Sequence, residues 1–355
     1  MPSVIFETAA PVIEAATAKL PLKGAAPSVV PNNTIDLSGP FPDGDWRNDL
    51  ARDGYAIIRG AVPEERALSY RDRAYEWIAK FPLGFDRDDK STWTQEHLPM
   101  TKKGGMFHHS IGHEAFLWEL RQEKGLIAPF AQLWGTDELL VSFDGANVSL
   151  PGKMQDPNQP AWWHQDQDAD KRGFHCAQGL VNLAPNGPKD GGLMLLKGSA
   201  KLNDKYFTEV WNGTDGVVLK GDEAQTDFFG YTPEILSWFY ENGAKWVKTE
   251  LNPGDLVIWD SRTVHYNVPP LGDRDRVAAY TCFMPARLCA PDQLEQKQKL
   301  FAGRQMTTHW PVSNLFQKSD VVLRDGKQCP HLRHAPFEEP VLTDKLLKLA
   351  GVKPY

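Results

Sequence analysis

The chain has 355 residues, with Lys+Arg 39 against Asp+Glu 46, a formal net charge of -7. No excess of positive charge is available to neutralise phosphates, so a nucleic-acid partner is not expected. Hydrophobic residues at 41% and charged residues at 24% are those of an ordinary globular protein long enough to bury a large core. No run reaches the roughly 18 apolar residues of a membrane span, and no basic segment precedes an apolar signal core. The sequence thus predicts no membrane partner, a cytoplasmic location, and a monomer or homodimer. Cys176, Cys282, Cys289 and Cys329 form no CxxC pair and read as reduced packing residues.

Residues 1–45, rich in Ala and Pro, read as an N-terminal arm. "GYAIIRGAVP" (54 to 63) reads as a short strand leading into a helix opened by Pro63. Ala67, Tyr70, Ala74, Trp77, Ile78 and Phe81 recur at helical spacing and give that helix one buried stripe. A second helical region is predicted over roughly 113 to 134, with apolar faces on either side of Gly125.

From about 139 the grammar changes. "ELLVSFDGANVSLP", "HCAQGLVNLAP", "GGLMLLKGSA", "GDLVIWDSRTVHYNVPP" and "RVAAYTCFMPARL" are short runs bounded by Gly, Pro, Asn and Asp, as strands and turns are. No helical segment separates successive strands, which argues against a parallel Rossmann-like sheet. The expectation is a mainly β fold: a double-stranded β-helix (jelly-roll, cupin-like) core with supporting N-terminal and C-terminal helices. One domain over 46–288 is expected, with an insertion of helix and loop near 200–247. A C-terminal helical extension, 289–355, contains "APDQLEQKQKLF" and "TDKLLKLA".

The stretch "WWHQDQDAD" (162 to 170) carries the chemistry. Residues two apart on a strand point the same way, so His164 and Asp166 can aim together into a cavity. An imidazole and a carboxylate supply two ligands of the facial set that suits non-haem Fe(II) and leaves one face open. Asp168 and Asp170 continue the alternation and compete with Asp166. His265, at the end of the strand in "NPGDLVIWDSRTVH", is the strongest candidate for the third ligand. Arg276 opens the next strand; if that strand returns beside the first, its guanidinium reaches the same cavity and can pair with a carboxylate. Arg262 and Arg274 compete with it, Arg262 as a contact in the substrate pocket. Asn267 shares the side of His265 if the strand continues.

His108, His109 and His113 read mainly as wall or structural histidines, with His109 a candidate for the substrate pocket. His175 reads as a structural or pocket-wall histidine. Of Trp162 and Trp163, one is expected to cover the cavity and the other to support the sheet, and Trp163 and Gln178 join the candidate pocket.

The order His164-x-Asp166, His265, Arg276, within "GLVNLAPNGPKDGGLMLLKGSA" and "GDLVIWDSRTVHYNVPP", resembles the phytanoyl-CoA dioxygenase family of Fe(II)- and 2-oxoglutarate-dependent oxygenases. The resemblance spans roughly residues 47 to 285. It implies that His164, Asp166 and His265 hold Fe(II) and that Arg276 binds the distal carboxylate of 2-oxoglutarate; Asn267, on the side of His265, is then placed to bond the C1 end of the ketoacid. It also implies O2 as co-substrate, release of succinate and CO2, and oxidation of an unactivated C–H bond by hydroxylation, desaturation or cyclisation. The substrate expected is a small or medium-sized organic molecule, an amino-acid derivative or secondary metabolite. Two other readings remain: a jelly-roll metalloenzyme that does not use 2-oxoglutarate, and a non-enzymatic binding protein with a degenerate barrel.

Overall fold

The structure, a computed structural model, describes residues 37, 39–102, 105–107, 109–151, 161–213, 216, 227–315 and 323–355. Most of the 1–45 arm, and His108, lie outside the described residues.

Helix α1 (Trp46–Asp53) starts at Asp45, whose carboxylate accepts the Arg47 N–H, and ends at Gly54 with φ of 84°. Strand β1 (Tyr55–Ile58) leads to α2 (Glu64–Ala79), which buries the stripe its spacing predicts. After β2 (Thr101–Lys102) and β3 (Met106–Phe107), the predicted 113–134 region forms two helices, α3 (Ala115–Arg121) and α4 (Lys124–Trp134). Gly125 in the first turn of α4 lies so close to the Ala61 carbonyl that a Cβ there would overlap it.

Then come β4 (Leu139–Val141), β5 (Ala146–Ser149), β6 (His164–Gln165), β7 (Ala177–Asn182) and β8 (Gly192–Lys197). The 200–247 stretch holds most of α5 (Ser199–Lys205), a π turn, β9 (Phe229–Gly230), α6 (Pro233–Glu241) and β10 (Lys245–Lys248). Next are β11 (Leu256–Asp260), β12 (His265–Val268), β13 (Arg276–Thr281) and β14 (Phe283–Pro285). Helices α7 (Pro291–Ala302) and α8 (Asp344–Leu349) follow.

The strands form an antiparallel seven-stranded sheet, order β1-β11-β7-β13-β5-β3-β2, and an antiparallel five-stranded sheet, order β10-β8-β12-β6-β9. The predicted mainly β, double-stranded β-helix core is corrected here. Helix makes up 33% and strand 20%, so the fold is mixed α/β. Both sheets are open, ending at β1 and β2 and at β10 and β9, and no strand of one pairs with a strand of the other among the described residues. Turn-bounded apolar runs identify strands, but closure depends on which edges hydrogen-bond, and that is set by non-local pairing.

Three clusters set the layers. The largest packs α2, α3, α4, α7 and α8 on the outer face of the seven-stranded sheet, through Trp77, Trp118, Phe130, Val181, Ile258 and Ala279. A second covers the outer face of the five-stranded sheet with Tyr206, Phe229, Ile235 and Phe239. The third lies between the sheets and joins Leu180, Val257, Trp259 and Ala278 of the larger to Leu193 and Leu195 of the smaller. Each such side chain, fully buried, contributes about 1.5–3 kcal/mol. The functional site is built in this third layer.

Candidate metal centre

His164 and His265 are directly opposed in the antiparallel pair β6 and β12, so their side chains leave the sheet on one face. Their ring centroids are 4.2 Å apart. Asp166 lies two residues beyond His164, and its backbone N–H donates to the Ser261 carbonyl at 3.0 Å, which pins it beside the turn before His265. One Asp166 oxygen is 3.7 Å from His164 Nε2 and the other 3.2 Å from His265 Nε2. One ligand atom from each residue falls within 4.8 Å of the other two.

Backbone contacts prepare both imidazoles. His164 Nδ1 lies 3.0 Å from the Trp162 carbonyl and His265 Nδ1 2.9 Å from the Thr263 carbonyl. A carbonyl can only accept, so each Nδ1 is the donor in its contact, and each imidazole is left with Nε2 turned toward the centre, the atom it can offer to a metal. Gln178 Nε2 donates to Asp166 Oδ2 at 2.9 Å and fixes that carboxylate. Burial pushes the Asp166 carboxyl up, but His309, His164 and His265 together hold it well below the usual range. Two imidazoles and one carboxylate, each oriented from behind, are a donor set that fits Fe(II).

Arg276 reaches this layer by a different route from the one predicted. Its strand, β13, pairs with β5 and β7 in the seven-stranded sheet rather than with β12. The guanidinium instead crosses between the sheets toward β8, where a Cβ on Gly192 would come within 3.2 Å of Arg276 Nε. Gly192 has φ of +119° and pairs with Val268 on the strand of His265. Arg276 is 3% exposed, donates from Nη1 to Asn147 Oδ1 at 2.8 Å, and leaves Nη2 buried without a partner. A buried guanidinium with a spare donor fits a carboxylate such as the far end of 2-oxoglutarate.

Asn267 lies on the face of His265, with its Oδ1 buried and unpaired. Several other candidates are engaged elsewhere. Asp168 accepts the Asp170 N–H at 2.8 Å and donates its own N–H to Asp227, and Asp170 is exposed. Arg262 is clamped by Asp260 at 2.7 Å and Asp204 at 2.9 Å. Arg274 pairs with Asp190 at 2.5 Å. Trp163 packs against Tyr266 on the outer side of the five-stranded sheet, while Trp162 stacks on His164 at 4.1 Å. His109 is buried against Trp77 and Phe81, with Nε2 3.1 Å from the Met100 carbonyl. His113 sits among Trp118, Phe143 and Phe301, where burial pushes it down to about 3. His175 contacts the Arg172 carbonyl at 2.8 Å.

Sequence reasoning missed His309. It lies after α7, where its charge acts on Asp166, on a segment held by the Thr307 N–H donating to the Phe143 carbonyl at 3.1 Å and by Asn314 bonding Asp227. Asp227 also receives the Asp168 N–H and the Lys171 ammonium. Nothing in the local sequence marks His309, because its place depends on a contact more than 140 residues away in the chain from Asp166.

The arrangement defines a non-haem iron oxygenase centre. The phytanoyl-CoA dioxygenase (PhyH) family profile matches residues 50–278, and the chain belongs to this family. It is similar to Ava biosynthesis cluster protein O of Aspergillus versicolor, at 45% identity over 277 residues, 78% of this chain and 89% of that protein. Among solved structures it resembles EctD from S. alaskensis with 2-oxoglutarate and 5-hydroxyectoine, at 15% identity, with 82% of this chain and 86% of that one covered and a TM-score of 0.47. It also resembles the non-heme alpha ketoglutarate dependent epimerase SnoN from nogalamycin biosynthesis, at 17% identity, 84% and 94% coverage and a TM-score of 0.46. With its facial triad and its family, the chain is an Fe(II)- and 2-oxoglutarate-dependent oxygenase acting on a small organic substrate. No helix among the described residues is long and apolar enough to cross a membrane.

Proposed function

We propose that the chain hydroxylates an unactivated carbon of a small or medium-sized secondary metabolite that carries a flat ring system. The observation that carries this reading is the aromatic wall beside the first ligand. Trp162 lies 4.1 Å from the His164 ring at 15°, and Phe228 lies 5.3 Å from it at 19°. Flat apolar surfaces next to the ligand set favour a ring-bearing guest over an extended charged one. The Aspergillus relative, whose name places that protein in a biosynthesis cluster, supports a role in secondary metabolism.

When bound, Fe(II) with 2-oxoglutarate and O2 supplies the oxidising chemistry, releasing succinate and CO2. The chain's own residues supply position. His164 and His265 present Nε2, Asp166 presents a carboxylate steadied by Gln178, and Arg276 takes the far carboxylate of the ketoacid. Trp162, stacked on His164, and His309, whose charge acts on Asp166, are the groups next to the ligands that can orient a substrate.

Succinate release should be screened against ring-bearing metabolites, with products read by mass spectrometry. Gain of one oxygen, lost with Asp166→Ala, is the expected result. Loss of two hydrogens without oxygen gain would replace hydroxylation by desaturation or ring closure. Turnover of extended, ring-free substrates alone would overturn the substrate class.

A further inference from the structure

Four buried polar atoms without partners lie on the facing sides of the two sheets: Arg276 Nη2, Tyr280 OH, Trp259 Nε1 and Asn267 Oδ1. Around them the layer is apolar, built from Leu180, Leu193, Leu195, Val257 and Ala278. Arg276, Ala278 and Tyr280 alternate along β13 and share its inward face. Trp259, 2% exposed, is edge-on to His265 at 5.5 Å.

Register orders these groups. Trp259 pairs with Gln178, the residue that holds Asp166; Tyr280 pairs with Leu180, two residues further along β7; Ala278 pairs with Asn182. Arg276 lies two residues beyond Ala278 on the same strand, past the last β7 partner. The unpaired groups therefore run in a line from the metal ligands to Arg276. Three of them, on Arg276, Tyr280 and Trp259, are donors, and the Asn267 amide becomes a fourth when its two ends exchange.

Thr281 shows that a spare hydroxyl is not enough by itself. Its Oγ1 is also buried and unpaired, but it lies on the opposite face, near Gly179 and the Phe130 ring. It joins no other donor and faces the helices. A row of donors in an apolar layer, by contrast, calls for a ligand made mostly of acceptors. 2-Oxoglutarate, with two carboxylates and a keto oxygen, offers acceptors along its whole length.

We propose that Tyr280 and Trp259 bind 2-oxoglutarate directly, donating from the hydroxyl and the indole N–H to its oxygens between Arg276 and the metal ligands. This assignment rests on the reading that the ketoacid lies between the sheets. It makes co-substrate affinity the sum of one charged anchor and two neutral donors on the larger sheet. It also gives the layer a means of rejecting shorter acids that cannot span the row.

Anaerobic titration of the Fe(II)-loaded protein with 2-oxoglutarate, read by the visible charge-transfer absorption of the chelate, tests it. Tyr280→Phe keeps the ring and removes only the hydroxyl, while Trp259→Phe removes the indole N–H together with the five-membered ring that carries it. Each is expected to raise the apparent Kd for 2-oxoglutarate roughly tenfold, one neutral hydrogen bond's worth, with Fe(II) affinity unchanged. For Tyr280→Phe the thermal midpoint should stay level or rise, since a buried orphan has gone; for Trp259→Phe it should fall with the lost packing, and its Kd is read well below that midpoint. Thr281→Val is the matched control and should leave the Kd unchanged. Wild-type affinity in either Phe variant overturns the assignment of that residue. If both bind normally while Arg276→Ala binds weakly, this inference fails and the inter-sheet site stands. If Arg276→Ala also binds normally, the placement of the ketoacid itself is wrong.

Discussion

The layer between the sheets and the core beneath the helices both bury basic side chains, and they use them in opposite ways. Under the helices, Lys297 donates to the Val141 carbonyl at 2.6 Å, Arg121 reaches the Gly112 and Asp144 carbonyls, and His113 meets the Gln305 carbonyl at 2.9 Å. Spare polar atoms remain there, on His113 Nδ1 and Arg121 Nε, yet the neighbours of these side chains are the rings of Trp118, Phe143 and Phe301. Between the sheets, His164 and His265 spend Nδ1 on carbonyls and turn Nε2 toward one carboxylate. Burial and a spare nitrogen are therefore common to both regions. Convergence of several such atoms on a shared face is what distinguishes a site from a core.

Removing the point of convergence should break the comparison most severely. Asp166→Ala is expected to lose bound Fe(II), measured by metal stoichiometry after desalting. Succinate release should then fall by more than the roughly 10–100-fold typical of outer-shell changes. Gln178→Leu tests that outer shell. It leaves the three ligands in place but frees the carboxylate, and should cost about 10–100-fold in Fe(II) affinity or turnover.

Lys297 tests the helix-side region. Burial pushes its ammonium down to about 7 from an ordinary 10.5. Between those values the unfolded chain holds a proton that the folded chain lacks, so this group makes stability rise with pH across that window. Lys297→Met should remove that rise in urea titrations taken across it, with Fe(II) affinity unaffected. The smallest functional effect is expected from Arg262→Gln. Its guanidinium is held by Asp260 and Asp204, so the thermal midpoint should drop while the KM for 2-oxoglutarate stays unchanged.

The two regions also differ in how far the sequence exposes them. The stripe of α2 follows from 3.6-residue spacing, and Ala67, Tyr70, Ala74, Trp77 and Ile78 are buried as that spacing requires. His164 and Asp166 are equally local, since two residues on an extended segment share a side. The route of Arg276 was not legible. Its strand joins β5 and β7, and the guanidinium meets the other sheet only because Gly192 leaves room for it. The helical share and the open sheet edges were hidden for a related reason: runs that look like strands do not record which edges pair.

Short-range order in the sequence determined the strands and helices and the pairing of His164 with Asp166. Each follows from side-chain periodicity over a few residues, which the backbone geometry enforces wherever the segment lies. Tertiary structure alone decided that the sheets stay open, that Trp162 rather than Trp163 covers His164, that Asp168 turns away to its own loop, and that His309 stands beside Asp166. Those outcomes rest on contacts between segments far apart in the chain. Their free energy comes from burial and hydrogen bonds that exist only after the layers have packed, so no local pattern can encode them.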